Sequence, residues 1–259
     1  RRLEALKRGV EQFGAGELSH RVAVRGSDEV AAVATSFNIA AARVEALLQS
    51  HRSLLANASH ELRSPLARMK MAVSMLDQAS PVQRERLKRE IDTNVAELDA
   101  LVEEVLLASR LDATEDLAHP ERIELLPLAV EEAARFNVPV EGVAASIRGD
   151  ERLLRRALRN LLENARRYGG DDIDVVVESA PAERIVSVRV CDRGPGVPEA
   201  MRERIFEPFF RLPGHAEQAG GVGLGLSLVK QIAERHGGRV RCEAREGGGS
   251  CFVIELPEN

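Results

Sequence analysis

From Leu3 to Leu111 apolar residues return at steps of three and four, the spacing that draws one stripe along a helix. A chain written this way is expected to bury its apolar surface in helix–helix seams. Leu3, Leu6, Val10 and Phe13 form the first stripe, Gly14 to Gly16 interrupt it, and Val30, Val33, Phe37, Ala40, Val44 and Leu47 resume it. Ser27 or Asp28 would cap the second helix, with Glu29 at its positive end. Each stripe is too narrow to close a core alone, so a second chain is expected to complete it.

From about Arg52 the stripe runs through Leu55, Ala58, Leu62, Leu66, Met69, Val73 and Leu76. Its extra four-step falls at Pro65, which predicts a kink or local unwinding there. Ser80-Pro81 reads as N-cap and first helical position of a further helix, with Leu87, Ile91, Val95, Leu98, Val102 and Val105 inward. That helix, ending near Leu111, would be roughly 45 Å long. Two such helices make an antiparallel hairpin, and two hairpins make a four-helix bundle.

After Pro120 the period changes. Short β-rich runs at Asp174 to Glu178, Ile185 to Cys191, Arg239 to Ala244 and Cys251 to Leu256 alternate with helical patterns at Leu128 to Phe136, Glu151 to Tyr168 and Leu224 to His236. This is the pattern of an α/β layer domain, joined to the helical half through Asp112 to Pro120. A formal net charge of −5 argues against a general nucleic-acid binder. Three cysteines with no Cys-x-x-Cys pair suggest neither a disulfide framework nor a thiolate zinc site, so a reducing compartment is expected. No uninterrupted apolar run approaches the ~18 to 20 residues of a membrane span. Because the chain opens with Arg1-Arg2, an upstream part is expected to precede it.

Four segments of the α/β half carry chemistry. Asn160 and Asn164 stand one helical turn apart, where amides could orient Mg²⁺ waters and phosphates without adding negative charge; alone, they read as solvated or capping amides. Asp192-Arg193-Gly194-Pro195-Gly196 follows a strand, so its carboxylate could accept an adenine amino hydrogen; alone, it reads as a tight turn. Gly221, Gly223, Leu224 and Gly225 run into a helix N-terminus, which is an anion site or a flexible loop. Between these, Ile205 to Phe210 holds three of the seven phenylalanines, as core filler or as an anchor for the loop.

In this order the four segments resemble the N, G1, F and G2 boxes of sensor histidine kinase catalytic domains, within the wider GHKL ATP-binding family. Ser59-His60-Glu61-Leu62-Arg63-Ser64-Pro65-Leu66 resembles the phospho-acceptor H box, and the opening residues resemble a HAMP signalling module with its Asp28-Glu29 pair. His60 lies about 200° around the helix from the Ala58 and Leu62 stripe, so its ring is expected to face solvent. His20, His51, His119, His215 and His236 read as ordinary surface histidines without a catalytic part.

The resemblance implies a HAMP module at 1–49, a dimerisation and histidine-phosphotransfer (DHp) domain at 50–115 and a catalytic ATP-binding domain at 116–259. It further implies a HAMP parallel four-helix coiled coil and an antiparallel DHp bundle, both dimeric, followed by an α/β sandwich of the GHKL (Bergerat) type. ATP would bind with Mg²⁺, held by Asn164 and possible also at Asn160. Arg167 would serve the phosphates, Tyr168 the sugar or base edge, and Asp192 the adenine. Gly194 and Gly196 would shape the base pocket, Gly221, Gly223 and Gly225 would form the lid hinge over the phosphates, and Leu224 would count among the nucleotide-binding residues. The γ-phosphoryl would pass to His60, with Glu61 as its acid–base neighbour, and then to an aspartate of a response regulator receiver domain. Ser64, four residues after His60, would orient water for regulator dephosphorylation. Arg52, Arg63, Arg68 and Lys70 could meet an acidic regulator, or are solvated helix charges. The resemblance also implies a homodimer, no nucleic-acid partner, and a whole protein held in the inner (cytoplasmic) membrane by an upstream transmembrane segment. The alternatives are a GHKL-type ATPase and a nucleotide-binding signalling scaffold. A gyrase-like or chaperone-like ATPase has a glutamate base where Asn160 stands, and an amide cannot take that proton.

Overall fold

The computed structural model describes residues 2–24, 26–113, 117, 120–213 and 223–258 and divides into two compact units, Arg1–His60 and Glu61–Asn259. In the first unit, α1 (Arg2–Gly14) and the start of α2 (Glu29–Met75) flank a turn-rich connector. Asp28 caps α2, its carboxylate accepting the Ala31 N–H at 3.1 Å. Asn38 reaches back to the connector, accepting the Val22 N–H at 2.9 Å and donating to the Val22 carbonyl at 2.8 Å. Leu6, Val22 and Ala34 bury against one another with Phe37 alongside. Gly9 makes this possible, since a Cβ there would lie 2.3 Å from Val22 Cγ2. Leu3, Val10, Val33 and Val44 of the expected stripes stay exposed, which leaves an apolar face uncovered in one chain.

α2 is one helix of 47 residues, with Pro65 inside it and no break where unwinding was expected. Proline removes one N–H and crowds the carbonyl four residues back. Here its ring is buried on the inward side of the helix instead of ending it. By length and composition alone the helical stretch Glu29–Gln78 also passes as a membrane span, which an unbroken-run count misses because polar residues interrupt it. The packing of Ala34 and Phe37 onto α1 accounts for part of that apolar content.

In the second unit, α2 and α3 (Pro81–Ala113) pair as a hairpin. Ser80 and Gln83 form a capping box at the start of α3. Arg68 of α2 crosses to α3, bonding Asn94 at 2.6 Å and Glu97 at 2.6 Å. The inward residues are Leu62, Pro65, Met69, Ala72 and Leu76 against Leu87, Ile91, Asn94, Leu98, Leu101, Val105 and Ala108, a clean heptad. This corrects the sequence stripe. Leu66, Val73, Val95 and Val102, expected inward, are exposed at 52%, 55%, 44% and 47%, because the spacing had merged two faces of each helix into one.

The α/β part contains β1 (Glu121–Glu124), α4 (Leu125–Ala134), β2 (Val140–Gly142), β3 (Ser146–Gly149), α5 (Glu151–Gly169), β4 (Asp174–Ala180), β5 (Ile185–Cys191), α6 (Gly225–Arg235), β6 (Arg239–Ala244) and β7 (Ser250–Pro257). A five-stranded sheet runs β2-β4-β5-β7-β6, antiparallel except for the β2/β4 pair, and β1-β3 form a separate ribbon. Alternation along β5 turns Val186, Val188 and Val190 inward, and α5 and α6 bury Leu154, Leu158, Leu161, Leu228 and Ile232 in the same core. The opposite face carries Arg189–Glu243 and Arg241–Glu255 ion pairs between strands and an Arg241–Glu243 pair within β6. Cys191 and Cys251 are directly opposed in the β5/β7 register and joined as a disulfide, contrary to the expectation of free thiols. Strand register, not sequence spacing, brought them together.

His236, at the end of α6, is buried, contrary to its reading as a surface histidine. Its Nε2 accepts the Asp150 N–H at 3.0 Å and its Nδ1 lies 2.7 Å from the Ile232 carbonyl, so the neutral ring satisfies both. Burial pushes its pKa below the usual imidazole value. The unfolded chain therefore takes up this proton near ~6.5 while the folded chain does not, so stability is full above that pH and falls as pH drops through it. Urea midpoints should fall more between about pH 8 and about pH 5 for the native chain than for His236→Gln. Parallel declines in the two proteins would refute this.

Candidate active site

A cavity of about 880 Å³ opens inside the second unit, with the hairpin on one side and the α/β part on the other. The hairpin contributes Glu61, Ser64, Pro65, Arg68, Asn94 and Glu104. The α/β wall contributes Asn160, Asn164, Arg167, Tyr168, Asp192, Gly196, Gly223 and Gly225. Residues from four separated segments thus meet at one site, of the size that takes a small organic ligand.

α5 places the first group. Asp150 caps it by accepting the Arg152 and Leu153 N–H groups, and its apolar face is buried. Asn160 is also buried, and its amide donates to the Gly225 carbonyl at 3.1 Å, tying α5 to the first residue of α6. Asn164, one turn on, is half-buried and faces the cavity. Tyr168 is half-buried and Arg167 exposed.

β5 delivers the second group. Asp192 is buried, and its Oδ1 accepts the Gly194 N–H at 2.8 Å. Burial raises its pKa, outweighing that bond, a second backbone bond from Ser250 and the attraction of Arg245. Three glycines let backbone close around this carboxylate. A Cβ on Gly169 would sit 2.4 Å from Asp192 Cβ, one on Gly194 2.6 Å from the Tyr168 carbonyl oxygen, and one on Gly249 1.9 Å from the Asp192 carbonyl oxygen. Gly194 shapes the wall through that contact without lining the cavity itself.

The third and fourth segments lock together. Phe206 is buried edge-on against Phe252, with centroids 6.5 Å apart, while the Arg204 guanidinium lies 4.7 Å from the Phe210 ring. Phe209 has φ +63°, and its N–H donates to the Gly223 carbonyl at 2.8 Å. A strained non-glycine backbone held by such a bond marks a segment whose shape is enforced from outside. Leu224 is fully buried beneath α6. Gly221 lies outside the described residues, as do His119, His215 and residues 114–116 of the expected interdomain linker.

On the hairpin side, His60 is exposed on α2, as its helical phase requires. Glu61 accepts from Arg211 Nη2 at 2.9 Å. The Ser64 hydroxyl accepts from Arg68 at 2.9 Å, so Arg68, expected as a candidate regulator contact, is committed within the hairpin. Glu104 pairs with Arg156 at 3.3 Å, and burial raises its pKa against that attraction.

Three family models match the chain in sequence. The HAMP domain matches residues 1–46, the His Kinase A (phospho-acceptor) domain residues 50–114, and the histidine kinase-, DNA gyrase B- and HSP90-like ATPase residues 149–259. The sensor protein RstB of Escherichia coli is 34% identical over 267 residues, covering 97% of this chain and 59% of its own length. The chain belongs to the two-component sensor histidine kinases. Sensor protein CutS of Streptomyces coelicolor is 32% identical over 275 residues, covering 98% of this kinase and 64% of CutS. A solved structure of histidine kinase ThkA in complex with response regulator protein TrrA matches with TM-score 0.64 and 25% identity, over 84% of this kinase and 64% of that chain. The kinase sequence thus spans less than two thirds of the length of RstB and CutS.

Several residues of the kinase site were not legible beforehand. Gly169 and Gly249 act by close approach to Asp192, which only tertiary contact reveals; a glycine ending a helix before an acidic turn is the one local signal for the first. Arg211 and Glu104 have no motif of their own, since each matters through a partner far away in sequence.

Proposed function

We propose that this chain binds ATP in the cavity, transfers the γ-phosphoryl group to His60 and passes it to an aspartate of a response regulator. The single observation that carries the reading is the convergence of Asn164, Tyr168 and Asp192 with Glu61 of the phospho-acceptor helix on one cavity. The pocket fits a nucleotide. The Asp192 carboxylate accepts backbone N–H groups from Gly194 and Ser250 and keeps acceptor lone pairs for an adenine amino group, while Gly169 and Gly194 let the backbone pack close enough to hold it in that position. Arg167 supplies positive charge toward the phosphates and Tyr168 an edge for sugar or base. Asn164, a neutral oxygen donor facing the cavity, suits a hard cation. Mg²⁺ held there would neutralise phosphate charge. Asn160 acts chiefly as a positioning residue, because its amide is bonded to Gly225.

In the transfer, a ring nitrogen of His60 attacks phosphorus, the P–O bond to ADP breaks and an N–P bond forms. Glu61 takes up the ring proton, and its ion pair with Arg211 sets how readily it does so. Phosphoryl transfer needs positioning and charge neutralisation more than covalent help. The exposed stripe of Leu66, Val73, Val95 and Val102 suits a second hairpin, so the kinase is proposed to act as a homodimer. Attachment of the whole protein to the cytoplasmic membrane by a segment outside this chain belongs to the same proposal, supported by the HAMP match.

Incubation with γ-labelled ATP tests the reading. An acid-labile, base-stable phosphoprotein is expected. Released phosphate alone would mean a hydrolase, and neither product would mean a scaffold. The buried amide at Asn160, where a hydrolase needs a base, favours the first outcome. Ser64→Ala should slow hydrolysis of the phosphorylated regulator about tenfold or more while leaving autophosphorylation within about twofold. Equal loss of both activities would contradict the role given to Ser64.

A further inference from the structure

The Cys191–Cys251 pair has no part in the mechanism above, yet it is built into the site's frame. Cys191 ends β5 and Cys251 is the second residue of β7, so the cross-link joins positions adjacent in sequence to Asp192 and Ser250. Those neighbours are themselves engaged. The Asp192 N–H donates to the Ser250 carbonyl at 2.8 Å, and the Val197 N–H donates to the Ser250 hydroxyl at 3.0 Å. The bond therefore pins both ends of the backbone that carries Asp192 and its turn. Its partners lie 60 residues apart, and that interval contains the phenylalanine segment, Gly223 and α6.

The third cysteine is insulated from this pair. Cys242 stands opposite Phe252 on β6, so it projects from the other face of the sheet from Cys251. It is buried and outside any disulfide, and burial pushes its thiol up to about 11 against a hydrogen bond with Ser250. So little thiolate at neutral pH makes it a poor partner for exchange.

We propose that Cys191 and Cys251 are a reversible thiol–disulfide site that tunes nucleotide affinity. This rests on the reading of Asp192 as the residue that recognises the base. The oxidant is a low-molecular-weight disulfide. Cys191 and Cys251 are themselves buried, so exchange takes place as the Asp192 turn opens locally; one cysteine thiolate then attacks the small disulfide, forming a mixed disulfide and expelling one small thiolate. The second cysteine thiolate then attacks the mixed disulfide at the protein sulfur, closes the Cys191–Cys251 bond and expels the second small thiolate. Two protons leave the protein thiols and two are taken up by the released ones, and the two electrons pass to the small disulfide. Closed, the bond holds the Asp192 turn in its binding shape; open, the turn must be ordered by the nucleotide itself, at a cost in affinity.

The test uses the whole chain, equilibrated in oxidised or reduced glutathione. Alkylation under denaturing conditions should count one free thiol in the oxidised protein and three in the reduced protein. Affinity for a non-hydrolysable ATP analogue should fall about fivefold on reduction, and the Cys191→Ser/Cys251→Ser variant should match the reduced protein in either buffer. Three free thiols in the oxidised protein, or a native affinity that ignores the redox buffer, would overturn the proposal. Asp192→Asn, measured alongside, separates the two layers. If it destroys binding while the native protein ignores the buffer, only the redox site fails. If it binds like the native protein, the reading of the nucleotide site fails, and the tuning proposal with it.

Discussion

Replacing His60 by Gln is expected to remove acid-labile phosphoprotein completely while leaving nucleotide affinity within about twofold. Glutamine has no ring nitrogen to carry the phosphoryl group, and a missing nucleophile is not replaced by better positioning, so a loss beyond about a thousandfold is expected. Because His60 is already exposed, its replacement creates no cavity and leaves no buried group unpaired. The cavity that would take ATP is lined by residues from Glu61 onward, so its shape does not depend on the imidazole. Glu61→Gln should be milder, slowing transfer by about a hundredfold or more through loss of the proton acceptor. The measurements are label incorporation from γ-labelled ATP and titration with a fluorescent nucleotide. Undiminished incorporation in His60→Gln would move the acceptor elsewhere and sink the mechanism.

The exposure of His60 was legible because helical phase is set by a few apolar neighbours, here Ala58 and Leu62. Strands β5 and β6 were legible for the same reason, since an alternating run bounded by turns fixes both ends. β1, β2 and β3 were not, being three or four residues long, too short for a period to show. The hairpin shows a different limit. Steps of three and four identify a helix but cannot divide two adjacent apolar faces, so Val95 and Val102 were grouped with Leu87 and Leu98 although one chain covers only the latter pair. Pro65 carried a local prohibition that tertiary packing overrode. At the site, Asn164, Tyr168 and Asp192 could be found because they sit in ordered motifs. The Arg211–Glu61 pair, 150 positions apart, depends on how the chain folds back.

That folding back gives Glu61 and Glu104 parallel roles at the hairpin. Each is a carboxylate on a hairpin helix bonded by an arginine of the α/β part, Arg211 in one case and Arg156 in the other. The partly exposed Arg211–Glu61 pair contributes little stability, on the order of 0 to 1 kcal/mol, and in the more buried Arg156–Glu104 pair desolvation offsets the attraction. Their geometric effect is larger, because together they tie the α/β part to both helices of the hairpin across the cavity. A contact this weak can be made and released without unfolding either part, which is what the proposed alternation of phosphotransfer between His60 and a regulator would require.

Glu132→Ala should destabilise the α/β part about as much as truncating a core residue does, a large effect for the loss of a charged side chain. Glu132 is fully buried on α4, yet its carboxylate is ringed by arginines. It accepts from Arg155 Nη1 at 3.1 Å and from Arg159 Nε at 3.0 Å and Nη2 at 3.3 Å, with Arg135 at 3.8 Å. Burial pushes the carboxyl pKa up, but the hydrogen bonds and charges of these guanidiniums together win and hold it below the usual value. Arg155 keeps Glu131 and Glu151 as partners after truncation, whereas the bonds Arg159 makes to Glu132 are lost outright. Removing one member of a buried pair costs about 3 to 5 kcal/mol, chiefly because the other is left charged without compensation. At about 2 to 4 °C per kcal/mol for a domain of this size, melting should shift down by roughly 10 °C. The pH dependence follows from the sign of the shift. The lowered carboxyl contributes stability that is complete above its unfolded value, about 4.3, and is lost as pH falls through the folded value. Thermal melts at pH 7 and about pH 3 should therefore separate native from Glu132→Ala widely at the first and less at the second. A separation that does not shrink in acid would show that the buried charge is not what stabilises α4 on α5.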